Sequence, residues 1–196
     1  MRQSRTYSNS LWQALRQERA AIGHLKPQKQ TKPHSGDTNT PGNMANTYIR
    51  IYLHLVFAVK NRDALISPYR EKQIHSYMAG TLYKLNHKPI IVGGIEDHVH
   101  ILLSYNPNQA LPDLVKELKT GTTKFINNNH LCTFKFEWQR GYACFSYSHS
   151  MVDKVYKYIE NQHQHHNGRS LQEELKSMLE GFGIEYDDQY IFSEPE

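Results

Sequence analysis

Apolar and polar residues alternate from Thr47 to Lys60. Ile49, Ile51, Leu53, Leu55, Phe57 and Val59 fall on one side, and Tyr48, Arg50, Tyr52 and His54 on the other. A period of two over that length predicts a half-buried strand. The period then lengthens. Ile74, Met78, Leu82 and Leu85 recur at helical spacing and predict a helix over Pro68–Leu85. Pro89–Ile95 is β-rich and ends in Gly93-Gly94 and Glu96-Asp97; His98–Tyr105 reads as the next strand, and the pair predicts a hairpin. Leu111, Leu114, Leu118 and Phe125 share one side of a helix over Leu111–Ile126, whose first turn tolerates Pro112. Tyr142–Tyr147 is a strand rich in aromatics. Ser150 is placed to cap a helix from Met151 to about His166, with Asp153 completing a weak capping box. A last helix is predicted over Ser170–Glu180. The first six elements, in the order β-α-β-β-α-β, predict an α+β protein with a ferredoxin-like antiparallel sheet and packed helices. Fold order alone implies no activity.

Composition changes this picture chiefly at the front of the chain. Between Gly23 and Asn43 large apolar residues are almost absent, so this stretch cannot bury enough surface to offset chain entropy. Leu11, Leu15 and Ile22 share a face and mark a possible short helix. Met44 opens the patterned region. The expected organisation is a disordered basic tail or a mis-assigned start over residues 1–43, then a single domain with C-terminal helices over 44–196. The net charge of +4 belongs to the tail: residues 1–43 hold seven Lys/Arg and two Asp/Glu, the rest sixteen and seventeen. A nucleic-acid partner of the main domain would therefore meet local patches, with the tail as a possible basic arm. No apolar run approaches the roughly 18 residues that span a bilayer. The N-terminus lacks a signal-peptide stretch. Cys132 and Cys144 form no CxxC pair, which speaks against a disulfide framework or cysteine zinc site and fits a reducing cytosol. The expectation is a cytoplasmic protein with no membrane partner.

Candidate chemistry concentrates in two places. His98 and His100 lie two apart on a predicted strand and project from one face, about 7 Å apart along it, where both can reach one divalent ion. An isolated pair of this kind is more often two surface histidines. On the predicted helix from Met151, Val152, Val155, Tyr156 and Ile159 form the apolar stripe. Tyr158 lies off it, sharing a face with Lys154 and Gln162. That places a hydroxyl beside an amide whose oxygen can serve a hard cation. Most polar helix faces are merely solvated, and His163 and His166 fit a solvated helix end.

Several segments together carry a resemblance. HVHILL after GGIEDH resembles the HUH motif, two histidines flanking a bulky hydrophobic residue. Tyr158-Ile159-Glu160-Asn161-Gln162 is similar to the YxxxQ helix of single-strand transposases. Phe136–Ser146 resembles that family's W-Q-x-G-Y-x-x-F-S stretch, His54-Leu55-Val56-Phe57 with Lys60 and Arg62 its first strand and exit, and Phe182–Tyr186 its ending. In this order the motifs resemble the HUH single-tyrosine transposases of the insertion sequence 200/605 family, including relatives associated with repetitive extragenic palindromes. The resemblance covers about residues 46–192.

The resemblance implies an enzyme that cleaves and rejoins single-stranded DNA at hairpin-containing ends. Tyr158 would be the nucleophile, forming a 5′-phosphotyrosine, and His98, His100 and Gln162 would ligate Mg²⁺ or Mn²⁺. It also implies a homodimer in which the tyrosine can act in trans. Arg50, Lys60, Arg62, Lys116, Lys119 and Arg140 are candidate phosphate contacts, and Tyr52, Trp138 and Tyr142 candidate stacking platforms. For each, plain surface charge or core packing is an equal reading. The alternatives are a domesticated relative acting on repetitive palindromes, a hairpin-binding protein without cleavage, and a small-substrate metal hydrolase. The last would need more carboxylates than Glu96 and Asp97 and would leave Tyr158 without a role.

Overall fold

Residues 48–60, 66–165, 170–188 and 191 are described by the computed structural model. They lie in the second of the chain's two units, Thr47–Glu196. The expected tail over 1–43 and its Leu11–Ile22 helix, together with Thr47, Arg62 and His166, lie outside the described residues.

The period-two residues build the centre. The strands are β1 (Ile51–Ala58), β2 (Lys88–Ile95), β3 (His98–Tyr105) and β4 (Ala143–Tyr147). They form one antiparallel sheet in the order β2-β3-β1-β4, the ferredoxin-like order. Leu53, Leu55, Phe57 and Val59 of the first strand segment share a face with Val99, Ile101 and Leu103 of β3. That face packs on helices α1 (Pro68–Lys84) and α2 (Leu111–Asn128) through Ile74, Met78 and Leu82 and through Leu114, Val115, Leu118 and Ile126. Both helices carry proline in the first turn, where its missing N–H would have had no partner anyway.

β1 starts later than the alternation suggests, at Ile51, and Ile49 is 55% exposed. The ladder to β3 ends at the Ile51–Tyr105 pair, and Pro107 just beyond has no N–H to extend it.

The opposite face of the sheet holds a smaller core. Val56, Ala58 and Phe145 pack on Leu171, Leu175 and Ile191. The expected continuous helix from Met151 to His166, capped by Ser150, is replaced by three pieces. A 3₁₀ turn spans His149–Met151, α3 spans Val152–Glu160 and α4 spans Gln162–His165. Met151 is the N-cap and provides no side-chain cap; the Ser150 hydroxyl instead meets that of Ser148 at 2.9 Å. Asn161 breaks the helix, with its side-chain amide donating to the Lys157 carbonyl at 2.9 Å. Such local bonds offer the backbone an alternative to the ladder. The final helix, α5 (Leu171–Gly181), has a full capping box between Ser170 and Glu173. No helix among the described residues is long and apolar enough to cross a membrane.

Candidate active site

Register places the histidines. Val56 pairs with His100 and Ala58 with His98, so both imidazoles stand on the smaller-core face while Val99 points into the main core. Both are fully buried, which removes the surface-histidine reading. Each ring is held at Nδ1. The His98 Nδ1–H donates to Asp97 Oδ1 at 2.7 Å, a partner that only accepts. His100 Nδ1 lies 2.9 Å from Nε2 of His54, whose pKa burial lowers to about 3. A neutral His54 can accept from His100. This orientation by outer partners leaves the Nε2 edges to face a common point.

At that point sits Glu174 of α5. One carboxylate oxygen is 3.2 Å from His100 Nε2 and the other 3.9 Å from His98 Nε2. The Tyr158 hydroxyl and the Gln162 side-chain amide both donate to Glu174 Oε1, the latter at 3.0 Å. Tyr158 and Gln162 thus converge despite the break at Asn161. The Tyr158 ring stands edge-on to His100, with centroids 5.9 Å apart. Burial first, and then the Glu174 carboxylate, hold its phenol well above the ordinary value; a hydrogen bond with Gln162 partly offsets this.

Donor atoms of His98, His100 and Glu174 all lie within 4.8 Å of one another. The side-chain oxygen of Gln162 is buried and accepts no hydrogen bond among the described residues. Two imidazole nitrogens with amide and carboxylate oxygens are a donor set that fits a divalent ion such as Mn²⁺ or Mg²⁺.

The expected DNA contacts scatter. Arg50, Lys60, Lys116 and Arg140 are exposed. Arg50 reaches the Tyr52 hydroxyl at 3.4 Å, and Lys60 pairs with Glu137 at 2.9 Å. Lys116 and Lys119 lie on α2, across the sheet from the histidines. Lys119 is half-buried over the Phe57 ring and donates to the carbonyls of Gln139 and Gly141, each at 2.6 Å. Burial lowers its pKa to about 8. Trp138 packs edge-on against Phe57 and Phe136, Tyr142 packs against the main core, and buried Tyr52 stacks on His149.

Glu174 and His54 had no role assigned from sequence. One signal marked Glu174: Leu171, Glu174, Leu175 and Met178 repeat at i, i+3, i+4 and i+7, so a glutamate stands in an apolar stripe.

The model of the family described as "Transposase IS200 like" matches residues 47–162, which contain His98, His100, Tyr158 and Gln162. The chain belongs to the IS200-like transposase family. The transposase is 29% identical over 115 residues to the ISDra2 transposase TnpA of Deinococcus radiodurans, covering 56% of this chain and 82% of that one. Among solved structures, a Deinococcus radiodurans R1 protein determined at 1.90 Å aligns with a TM-score of 0.48 and 20% identity, over 62% of this chain and 98% of that one. A REP-associated tyrosine transposase bound to a REP hairpin aligns with a TM-score of 0.48 and 11% identity, over 65% and 75% of the two chains. Glu174 lies beyond the segment matched by the family model.

Proposed function

We propose that this transposase cleaves and rejoins single-stranded DNA at hairpin-bearing ends through a 5′-phosphotyrosine on Tyr158. His98, His100 and Gln162 would hold Mg²⁺ or Mn²⁺. The observation that supports this reading is the convergence of a tyrosine hydroxyl and a glutamine amide on the point faced by both Nε2 edges. The ion supplies neutralisation of phosphate charge and stabilisation of the leaving oxygen when bound.

The remaining steps belong to side chains. Tyr158 Oη gives up its proton and forms the bond to phosphorus as the bond to the 3′-oxygen breaks, and that oxygen takes up a proton, so none is gained or lost overall. The energy of the broken bond is kept in the tyrosine ester, and attack by a free 3′-hydroxyl reverses the step. In the arrangement seen, Tyr158 is protonated and aimed by Glu174, so activation requires the charge on that carboxylate to be offset. Buried Val56 and Ala58 beside the histidines exclude water from the sheet side of the site. Exposed Arg50, Lys60, Lys116 and Arg140, with half-buried Lys119 and with Arg62, remain the proposed phosphate contacts. The domain proposed to carry this activity is residues 44–196, in the cytoplasm.

The test is incubation of the full chain with single-stranded DNA from its gene's flanks, with Mn²⁺, beside Tyr158→Phe. A metal-dependent covalent adduct that disappears in the variant is expected; an adduct retained by Tyr158→Phe refutes the assignment. The homodimer with exchanged tyrosines is tested in the same assay by mixing Tyr158→Phe with His98→Ala. Recovered adduct reports exchange, and none reports a tyrosine acting beside its own histidines.

A further inference from the structure

Glu174 reaches the site from a helix outside the family-matched segment, and its placement there is fixed by packing. The capping box sets the start of α5, and Leu171 and Leu175 seat it on Val56, Ala58 and Phe145. Glu174 sits between these two leucines in sequence and is itself buried. A buried carboxylate is unfavourable unless strongly compensated. Tyr158 and Gln162 donate hydrogen bonds to it, and the Nε2 edges of His98 and His100 face its two oxygens at 3.9 and 3.2 Å. Conversely, two imidazoles and an amide oxygen offer a hard divalent ion no anionic ligand, whereas such ions favour carboxylate oxygen.

We propose that Glu174 is itself a ligand of the divalent ion, so that the ion ties the C-terminal helix α5 to the histidine face of the sheet. The inference rests on the metal centre proposed above and adds a ligand to it. Each partner then stabilises the other: the docked helix completes the ion's shell, and the bound ion holds the helix down. Binding free energies between linked events are reciprocal, so weakening one must weaken the other. Glu174 also accepts hydrogen bonds from Tyr158 and Gln162, which keeps these two side chains gathered around the same point.

The experiment measures Mn²⁺ affinity by calorimetry and electron paramagnetic resonance on the full chain without DNA. It compares wild type, Glu174→Gln, Glu174→Asp and His98→Ala, each first melted in chelator to establish folding. Hydrogen exchange of residues 171–181 is followed with and without Mn²⁺. Glu174→Gln is expected to weaken Mn²⁺ at least tenfold, since even outer-shell partners of a metal are worth roughly 10- to 100-fold. Glu174→Asp, which keeps the charge, is expected to lose less. Mn²⁺ should slow exchange of 171–181 in wild type and not in Glu174→Gln. Wild-type or tighter affinity in Glu174→Gln, with His98→Ala weakened, overturns the ligand and leaves the metal centre standing. Unchanged affinity in His98→Ala overturns the centre and the ligand with it. If Glu174→Gln does not fold, Glu174→Asp decides: affinity equal to wild type, with no metal-dependent protection of 171–181, overturns the proposal.

Discussion

Gly93 is the position where a single methyl should separate catalysis from folding. It pairs directly with His100 across the β2–β3 ladder, on the face where α3 lies. A Cβ there would stand 2.7 Å from Ile159 Cγ2 and 3.0 Å from the Ile159 carbonyl oxygen. Ile159 is β-branched and helical, so its χ1 has little freedom to turn away. The helix itself must therefore give by about 0.7 Å to restore an ordinary 3.4 Å contact. Tyr158 is the adjacent residue and moves with it. Misplacement by about 1 Å costs roughly 100-fold in rate, so Gly93→Ala should form the tyrosine–DNA adduct roughly 10- to 100-fold more slowly. Overpacking of this kind costs about 1–3 kcal/mol, a fall in melting temperature of roughly 2–10 °C. Gly80→Ala is the control. Its Cβ meets nothing within 4 Å on α1, and the change should stabilise by about 0.4–1 kcal/mol with no effect on rate. Adduct formation on single-stranded DNA and thermal melting are measured on both variants. If Gly93→Ala reacts as fast as Gly80→Ala, close seating of α3 on β2 does not position the tyrosine.

Two further outcomes concern one group beside the site and one on α1. Asp97→Ala removes the acceptor that fixes His98 at Nδ1, and Mn²⁺ affinity in a direct titration should fall roughly 10- to 100-fold, as for other outer-shell partners; unchanged affinity would show that His98 is oriented otherwise. His75 gives the acid limb of stability. Burial, with the charge of His163 adding, lowers its pKa from 6.5 to about 4, so the unfolded chain binds the extra proton in that interval. Stability is full above about pH 6.5 and is lost as pH falls toward 4, by on the order of 3 kcal/mol. His75→Gln should flatten that limb in pH-dependent melts, leaving the similar contribution of His54; a slope equal to wild type contradicts the assignment.

The sheet was legible because alternation is a strong constraint. Once Val99, Ile101 and Leu103 are assigned inward, His98 and His100 must share the other face, and the structure places them there. The helical pieces after Ser150 were harder to read. Asn161 looks like any polar helix residue until its side chain takes the Lys157 carbonyl, and no periodicity records that competition. Lys116 and Lys119 are equivalent by composition; only the packing of Gln139–Gly141 against α2 gives Lys119 backbone partners. Glu174 was hidden because its role comes from tertiary contact with residues 12 to 76 positions away. The position of a charge within an apolar stripe was the trace it left in the sequence.

The sheet divides its two faces unequally, with its bulk under α1 and α2 and its histidines on the other side. Damage to the molecule therefore takes two distinguishable forms. A substitution under α1 or α2 lowers how many molecules are folded, while one on the histidine face also lowers what each folded molecule accomplishes. Dividing the activity of a variant by its folded fraction would sort a random library into these two groups, and the boundary between them should follow the alternation of β1 and β3 residue by residue.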